Sequence, residues 1–344
     1  MKYKLLGKSG LRVSEICLGT MTFGKEWGAM GAEKDESKKI FDAFVNKGGN
    51  FLDTANRYHD GTSEKFTGEF IASNRDSFVL ATKYTLYNPG RKDDILASGN
   101  SRKNMVYSLE QSLKRLKTDY IDLYWLHMWD FLTPEEEVMR SLDDMVRAGK
   151  ILYIGISDTP AWVVAKSNTI AELRGWTQFV ALQIEYSLIQ RTPERDLIPM
   201  ANAFGMTVTP WAALGGGALT GKYLNKKSDE PHRVPEGSKR LNEKNTEIAK
   251  EVVRIAEELG VTPGQVALNW VRQQKGSFIP IVGARTEAQI KDSLDCLNFA
   301  LPEKMLQRLN EVSKIDLGFP HEFLKEPMIN DLVFSGKMNE IIKQ

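Results

Sequence analysis

Cysteine is nearly absent from this sequence. Cys17 and Cys296 are the two among 344 residues, and no C-x-x-C pair occurs. A disulfide framework is therefore excluded, and two buried thiols in a reducing, cytoplasmic setting are expected. Long apolar runs are also missing: nothing approaches the roughly 18 residues of a membrane span. The opening segment MKYKLLGKSGLRVSE has no apolar stretch of the kind a secretory signal needs. Neither sign of charge dominates, with 46 basic against 45 acidic residues and a formal net charge of +1. That balance leaves no electrostatic footprint for nucleic acid or an anionic membrane. The four histidines, His59, His127, His232 and His321, show no i,i+4 spacing, so no metal is expected.

What the chain does have is alternation. After a segment that reads as a β-hairpin around Ser9-Gly10, short apolar runs rich in β-branched and aromatic residues recur at 16–20, 50–54, 78–83, 121–127, 151–157, 179–185, 206–211 and 278–283. Continuous apolar runs suit strands buried on both faces. Helical patterns lie between them, for example at 36–48, 102–116 and 134–150. Thr133-Pro134-Glu135-Glu136 and Thr262-Pro263-Gly264-Gln265 both read as capping boxes with proline at N1, and Gly149 reads as a helix stop. Strict β/α alternation predicts a parallel sheet. An open doubly wound sheet would carry G-x-G-x-x-G after an early strand, and none is present. The fold class is therefore α/β, one (β/α)8 barrel domain over 1–344, with an N-terminal hairpin, a long loop after strand seven (214–240) and a C-terminal tail (314–344).

Active sites of such barrels lie at the C-terminal ends of the strands. Here those ends carry Asp53, Lys83, His127, Ser157, Gln183 and Trp211, followed by Gly283 and Arg285 after the last strand. Tyr58 follows Asp53 closely enough to reach the same rim. A tyrosine beside a lysine ammonium, with an aspartate to hold the lysine and a histidine nearby, is an acid-base group. The lysine is expected to lower the tyrosine pKa, since a neighbouring cation favours the phenolate.

The segment GGNFLDTANRYHDGTSE (48–64) resembles the aldo-keto reductase signature. TKY (82–84), LHMWD (126–130), GIS (155–157), LQIEYSL (182–188), PWAALGGGALTGKY (210–223) and IPIVGARTEAQIKDS (279–293) extend the resemblance to about residue 313. By motif it is similar to the branch with general stress reductases, aryl-alcohol dehydrogenases and potassium-channel β subunits. The resemblance implies a catalytic tetrad of Asp53, Tyr58, Lys83 and His127, and NADPH/NADP+ as coenzyme. It implies Ser157 and Gln183 at the nicotinamide carboxamide, Trp211 stacked on the ring, and Thr20 and Met21 beside the ribose. Ala212, Leu214, Gly216 and Lys222 would wrap the pyrophosphate. Gly283, Arg285, Gln289, Asp292 and Ser293 would surround the adenosine end, with Arg285 on the 2′-phosphate. The chain departs from the family pattern at Asp158, where asparagine or arginine is usual, at Ala213 and at Ser293.

The activity implied is NADP-dependent reduction of an aldehyde or ketone, with Tyr58 as proton donor and Trp27, Tyr58, His127 and Trp129 around a small-molecule carbonyl or alcohol substrate. The alternative is a nucleotide-binding regulatory or redox-sensor subunit with little turnover; the complete tetrad favours the enzyme. Aromatic and aliphatic aldehydes, ketosugars and quinone-like carbonyls all remain open, as does the oligomeric state. Bland readings stay open for several residues: Gln289 as a helix cap, Lys222 as a solvated loop lysine, Trp27 and Trp129 as packing, His59 as merely exposed. The segment Phe319–Leu324 is expected to fold over the barrel mouth.

Overall fold

A computed structural model describes residues 1–224 and 237–342. The middle of the loop read at 214–240, including His232, and the last two residues of the tail lie outside the described residues. Ten strands are described: β1 (Tyr3–Leu5), β2 (Arg12–Ser14), β3 (Cys17–Gly19), β4 (Phe51–Asp53), β5 (Val79–Tyr84), β6 (Ile121–Leu126), β7 (Ile151–Ser157), β8 (Phe179–Glu185), β9 (Thr207–Trp211) and β10 (Ile281–Val282). The helices are α1 (Lys34–Asn46), α2 (Thr62–Ile71), α3 (Arg102–Leu116), α4 (Glu135–Arg147), α5 (Ala161–Arg174), α6 (Leu197–Phe204), α7 (Glu243–Leu259), α8 (Pro263–Arg272), α9 (Glu287–Leu294), α10 (Glu303–Val312) and α11 (Pro327–Phe334).

β1 and β2 form an antiparallel hairpin in which Lys4 faces Val13. The other eight strands are all parallel, in the order β10-β3-β4-β5-β6-β7-β8-β9. The expected eighth strand at 278–283 is divided by Pro280, which has no N–H to give a ladder. Its first half pairs across to β9, where Ile279 N donates to Val208 O (3.0 Å) and Val208 N to Ser277 O (2.8 Å). Its second half, β10, pairs with β3. The split strand brings the two ends of the sheet together, giving a nearly closed (β/α)8 barrel.

Side chains alternate across a strand with period two, so every second residue enters the barrel. The inner set is apolar at the bottom and middle: Cys17, Phe51, Val79, Ala81, Leu123, Trp125, Ala181 and Ile279 form one buried cluster. Leu6 and Val13 of the hairpin segment complete it, both fully buried, so this segment plugs the N-terminal end. Trp125 fills the centre. A Cβ on Gly155, its partner on the neighbouring strand β7, would sit 2.3 Å from its ring, so glycine is required there. The same alternation carried two residues further along each strand reaches Asp53, Lys83, His127, Ser157 and Gln183. The barrel thus changes from apolar to polar along its axis. A second, larger apolar cluster lies between the barrel and its helices and includes Trp129 and Cys296.

Helix ends show which local signals hold. Thr262 makes a complete capping box with Gln265. At α4 the expected box is not made. The helix begins one residue later, with Pro134 at the N-cap, and the Thr133 hydroxyl donates to Asp130 Oδ2 (2.8 Å) instead. Asp130, already turned toward the amides of Leu132 and Thr133, is the better acceptor. Among the described residues no helix is long and apolar enough to cross a membrane, and no His/Cys/Asp/Glu group could hold a metal ion.

Candidate active site

The loops after the barrel strands carry unusual backbone. His59, Asp60, Thr85, Phe131, Asp158 and Ala212 all have positive φ without being glycine. Conformations of this kind are uncommon outside glycine and tend to persist at functional sites. All six follow barrel strands at their C-terminal ends, and two of them, Asp158 and Ala212, line a cavity of about 910 Å³.

Behind Asp53 and Tyr58 of the cavity wall, Lys83 is fully buried. Its ammonium is held by Asp53 Oδ2, donates to the carbonyl of Thr54 (2.8 Å) and reaches the Tyr58 hydroxyl at 3.3 Å. Asp53 is fixed from the other side by Gln183 Nε2 (3.1 Å). Tyr58 stands edge-on to His127, with ring centroids 6.0 Å apart. Burial pulls the Lys83 pKa down, but the Asp53 and Tyr58 oxygens outweigh it and the net shift is upward, so the lysine stays charged. Burial, reinforced by the Lys83 cation, drives His127 well below the usual histidine value. The imidazole is therefore neutral near pH 7, and its buried Nδ1 has no hydrogen-bond partner.

The expected lowering of the Tyr58 pKa is not what the geometry gives. Burial raises it, and the nearby Lys83 cation only partly opposes that, so the phenol lies above its ordinary value. An attraction at one face does not replace the water lost from all the others.

The residues predicted for the site fall into three groups. Asp53, Tyr58, His127, Ser157, Gln183 and Trp211 line one end of the cavity. Met21, Ala212, Leu214, Gly216, Lys222, Gly283, Arg285, Gln289, Asp292 and Ser293 line the rest. Four residues stand off the wall, Lys83 among them, fully buried behind Tyr58 and Asp53. Thr20 is fully buried, its hydroxyl donating to the carbonyl of Asp53 (3.1 Å). Trp129 is packed in the outer core, with 9% of its surface exposed. Trp27 stacks on His59 (centroids 4.7 Å apart) and meets Tyr58 edge-on at 6.3 Å. Asp292 is already engaged by Gln265 Nε2 (2.9 Å) and the Thr262 hydroxyl (3.2 Å). Gln289 both lines the cavity and caps its own helix start, accepting from the Arg285 amide (2.9 Å).

Two expectations are overturned. His59 is not exposed: a left-handed backbone turn folds it inward, where Nδ1 accepts from the Trp27 amide (3.2 Å). The tail does not cover the mouth. Arg195 and Lys244 hold its start through the carbonyls of Asp316 and Lys314. Beyond that, Phe319 is 83% exposed and no described tail residue reaches the cavity wall.

Sequence reasoning also missed parts of the wall. Asp158 was noted only as a departure, yet it lines the cavity and its Oδ1 accepts from the Trp211 indole (3.1 Å). Arg240 joins the wall while paired with Glu185 at the end of β8. Thr262, Pro263 and Gly264 form the start of α8 beside the cavity, although their motif signalled only a helix cap.

Known proteins similar to this chain point to one family. A family model for the aldo/keto reductase family matches residues 15–314. Norsolorinic acid reductase B of Dothistroma septosporum is 41% identical over 334 residues, covering 94% of this chain and 84% of that protein. Aryl-alcohol dehydrogenase [NADP(+)] of Phanerodontia chrysosporium is 39% identical over 334 residues, covering 91% and 86%. Norsolorinic acid reductase of Aspergillus flavus is 37% identical over 330 residues, covering 94% and 83%. The chain is thus an oxidoreductase that belongs to the aldo/keto reductase family.

Proposed function

We propose that this protein reduces aldehydes or ketones to alcohols, reversibly, with NADPH as coenzyme and Tyr58 as proton donor. The observation that carries the reading is the Asp53–Lys83–Tyr58 chain of contacts ending beside a neutral His127. A packing role would not require a fully buried ammonium and a phenol at one point.

The cavity suits a dinucleotide. It runs from Tyr58 and His127 to Arg285 and Gln289. Gly216 and Gly217 hold positive φ along its flank, a conformation that lets the backbone run close to a ligand without a side chain in the way. The cationic residues Lys222 and Arg285 on the wall match phosphate chemistry. The matching of an NADP(+)-dependent aryl-alcohol dehydrogenase supports the phosphorylated coenzyme.

Ser157 and Gln183 would hold the carboxamide, Trp211 the ring face, and Arg285 the 2′-phosphate. The coenzyme, when bound, supplies the hydride. The protein supplies position and the proton. His127 can donate from Nε2 to the carbonyl oxygen of the substrate. As that oxygen gains charge, the Tyr58 hydroxyl donates its proton to it, a contribution typically of ~10²–10⁴ in rate. Lys83 favours the phenolate left behind, and Asp53 keeps Lys83 in place. Because burial raises the Tyr58 pKa, the phenol is protonated near neutral pH, the state needed for reduction.

Steady-state consumption of NADPH with 4-nitrobenzaldehyde tests the reading. Turnover producing the alcohol is expected. Tight coenzyme binding without turnover on a panel of aromatic, aliphatic and sugar carbonyls would contradict it.

A further inference from the structure

At the tetrad end of the cavity the charges cancel in pairs, except one. Asp53 is matched by Lys83 and Glu185 by Arg240. Tyr58 holds its proton and His127 is neutral. Asp158 remains. It lines the same wall, and the donors to its side chain are neutral ones, the Trp211 indole (3.1 Å) and its own backbone amide. No lysine or arginine forms an ion pair with it among the described residues. The backbone holds it there: its φ of 39° is left-handed, a conformation that aspartate and asparagine tolerate better than most residues.

We propose that Asp158 is the charge that sets the relative affinity of this enzyme for oxidised and reduced coenzyme. The inference rests on the coenzyme reading above, in which Trp211 faces the nicotinamide ring. That ring carries a positive charge when oxidised and none when reduced. A carboxylate bonded to the tryptophan beside it stabilises the first and leaves the second almost unaffected. The groups that face Asp158 do not erase the effect. The Trp211 bond, Lys83 on β5 and its own backbone amide favour its ionised form, and Glu185 on β8 opposes it. Burial outweighs these and raises its pKa to about 6. The discrimination therefore switches on as pH rises through that value and is lost below it, where Asp158 is neutral. Alcohol oxidation would then start from tightly held oxidised coenzyme at neutral pH, while product release would limit carbonyl reduction.

The test is calorimetric titration of the protein with NADP+ and with NADPH from about pH 5 to about pH 8. The ratio of the two dissociation constants is the readout. The 2′-phosphate also titrates near pH 6, but it is common to both coenzymes and cancels in the ratio. In the wild type the preference for NADP+ should grow on the order of tenfold across the range, the scale of one unit-charge interaction at a partly buried site. Asp158→Asn keeps an acceptor for the indole and suits the same backbone, but removes the charge. Its ratio should be flat with pH and equal to the wild-type value at the acid end. A ratio in the variant that tracks the wild type, or a variant that binds neither coenzyme, overturns the role of Asp158. Wild-type protein that binds neither coenzyme overturns the coenzyme reading as well.

Discussion

Replacing Lys83 with methionine separates the two tasks this lysine performs. The substitution removes a fully buried ammonium and leaves Asp53 with Gln183 alone. Breaking a buried ion pair from one side costs about 3–5 kcal/mol, because the remaining charge stays buried without its partner. Unfolding 344 residues carries an entropy of about 0.7 kcal/mol/K, so the melting temperature should fall by about 4–7 °C. Adding Asp53→Asn removes the stranded charge while retaining an oxygen for Gln183. The double variant should recover most of the lost stability, since replacing both members of a buried pair is often close to neutral. Activity should not follow. Tyr58 loses the cation that favours its phenolate, so its pKa rises further and both directions of reaction stay slow. Thermal denaturation of the wild type, the single and the double variant, with steady-state rates on each, measures both effects. A double variant no more stable than Lys83→Met would refute the assignment of the cost to a stranded carboxylate. Recovery of activity along with stability would show that Lys83 acts only as a structural ion.

The other predictions concern coenzyme choice, the tail and pH. Arg285→Ala should raise KM for NADPH by roughly 10- to 150-fold, the equivalent of about 1.5–3 kcal/mol for a hydrogen bond to a charged group, and leave KM for NADH unchanged. Equal losses for the two coenzymes would place Arg285 away from the 2′-phosphate. Truncation after Ile315 removes the exposed apolar residues of the tail, none of which lines the cavity. KM should then be unchanged for small and bulky carbonyls alike, and a selective rise for bulky ones would return the tail to the pocket. With Asp158→Asn as background, alcohol oxidation should accelerate with pH above neutrality, because the Tyr58 pKa is raised and oxidation needs the phenolate. Carbonyl reduction should stay level over the same range. Parallel profiles would mean that another group carries the proton.

The elements that were legible in the sequence are those whose signal is local. Apolar runs located the barrel strands to within a residue except the last, which Pro280 divides, and β7 and β8 coincide with the runs that announced them. Period-two alternation carried Asp53, Lys83, His127, Ser157 and Gln183 to one rim because each strand repeats the same inward register. What escaped depends on contacts distant in the chain. The Asp158–Trp211 bond joins residues 53 positions apart. The direction of the Tyr58 shift depends on how completely the barrel mouth dehydrates the phenol, and composition does not report burial of a single group. His59 sits in a polar loop with no periodicity, so nothing local signals that two left-handed residues turn it under Trp27. Thr133 carried the right motif but had a nearer competitor in Asp130. The tail was assigned to the mouth from composition alone, and exposed aromatics at 319 and 323 show that apolar content does not name the surface it meets.

The central claim is that Tyr58 gives the proton, and Tyr58→Phe tests it most directly. The hydroxyl lies 3.3 Å from Lys83 and makes no other hydrogen bond among the described residues, so the variant should fold and bind NADPH as the wild type does. In a single-turnover experiment with NADPH bound and 4-nitrobenzaldehyde in excess, the rate should fall at least about a hundredfold, the lower end of a general-acid contribution. A Tyr58→Phe enzyme that binds NADPH normally and keeps most of its single-turnover rate would contradict the account.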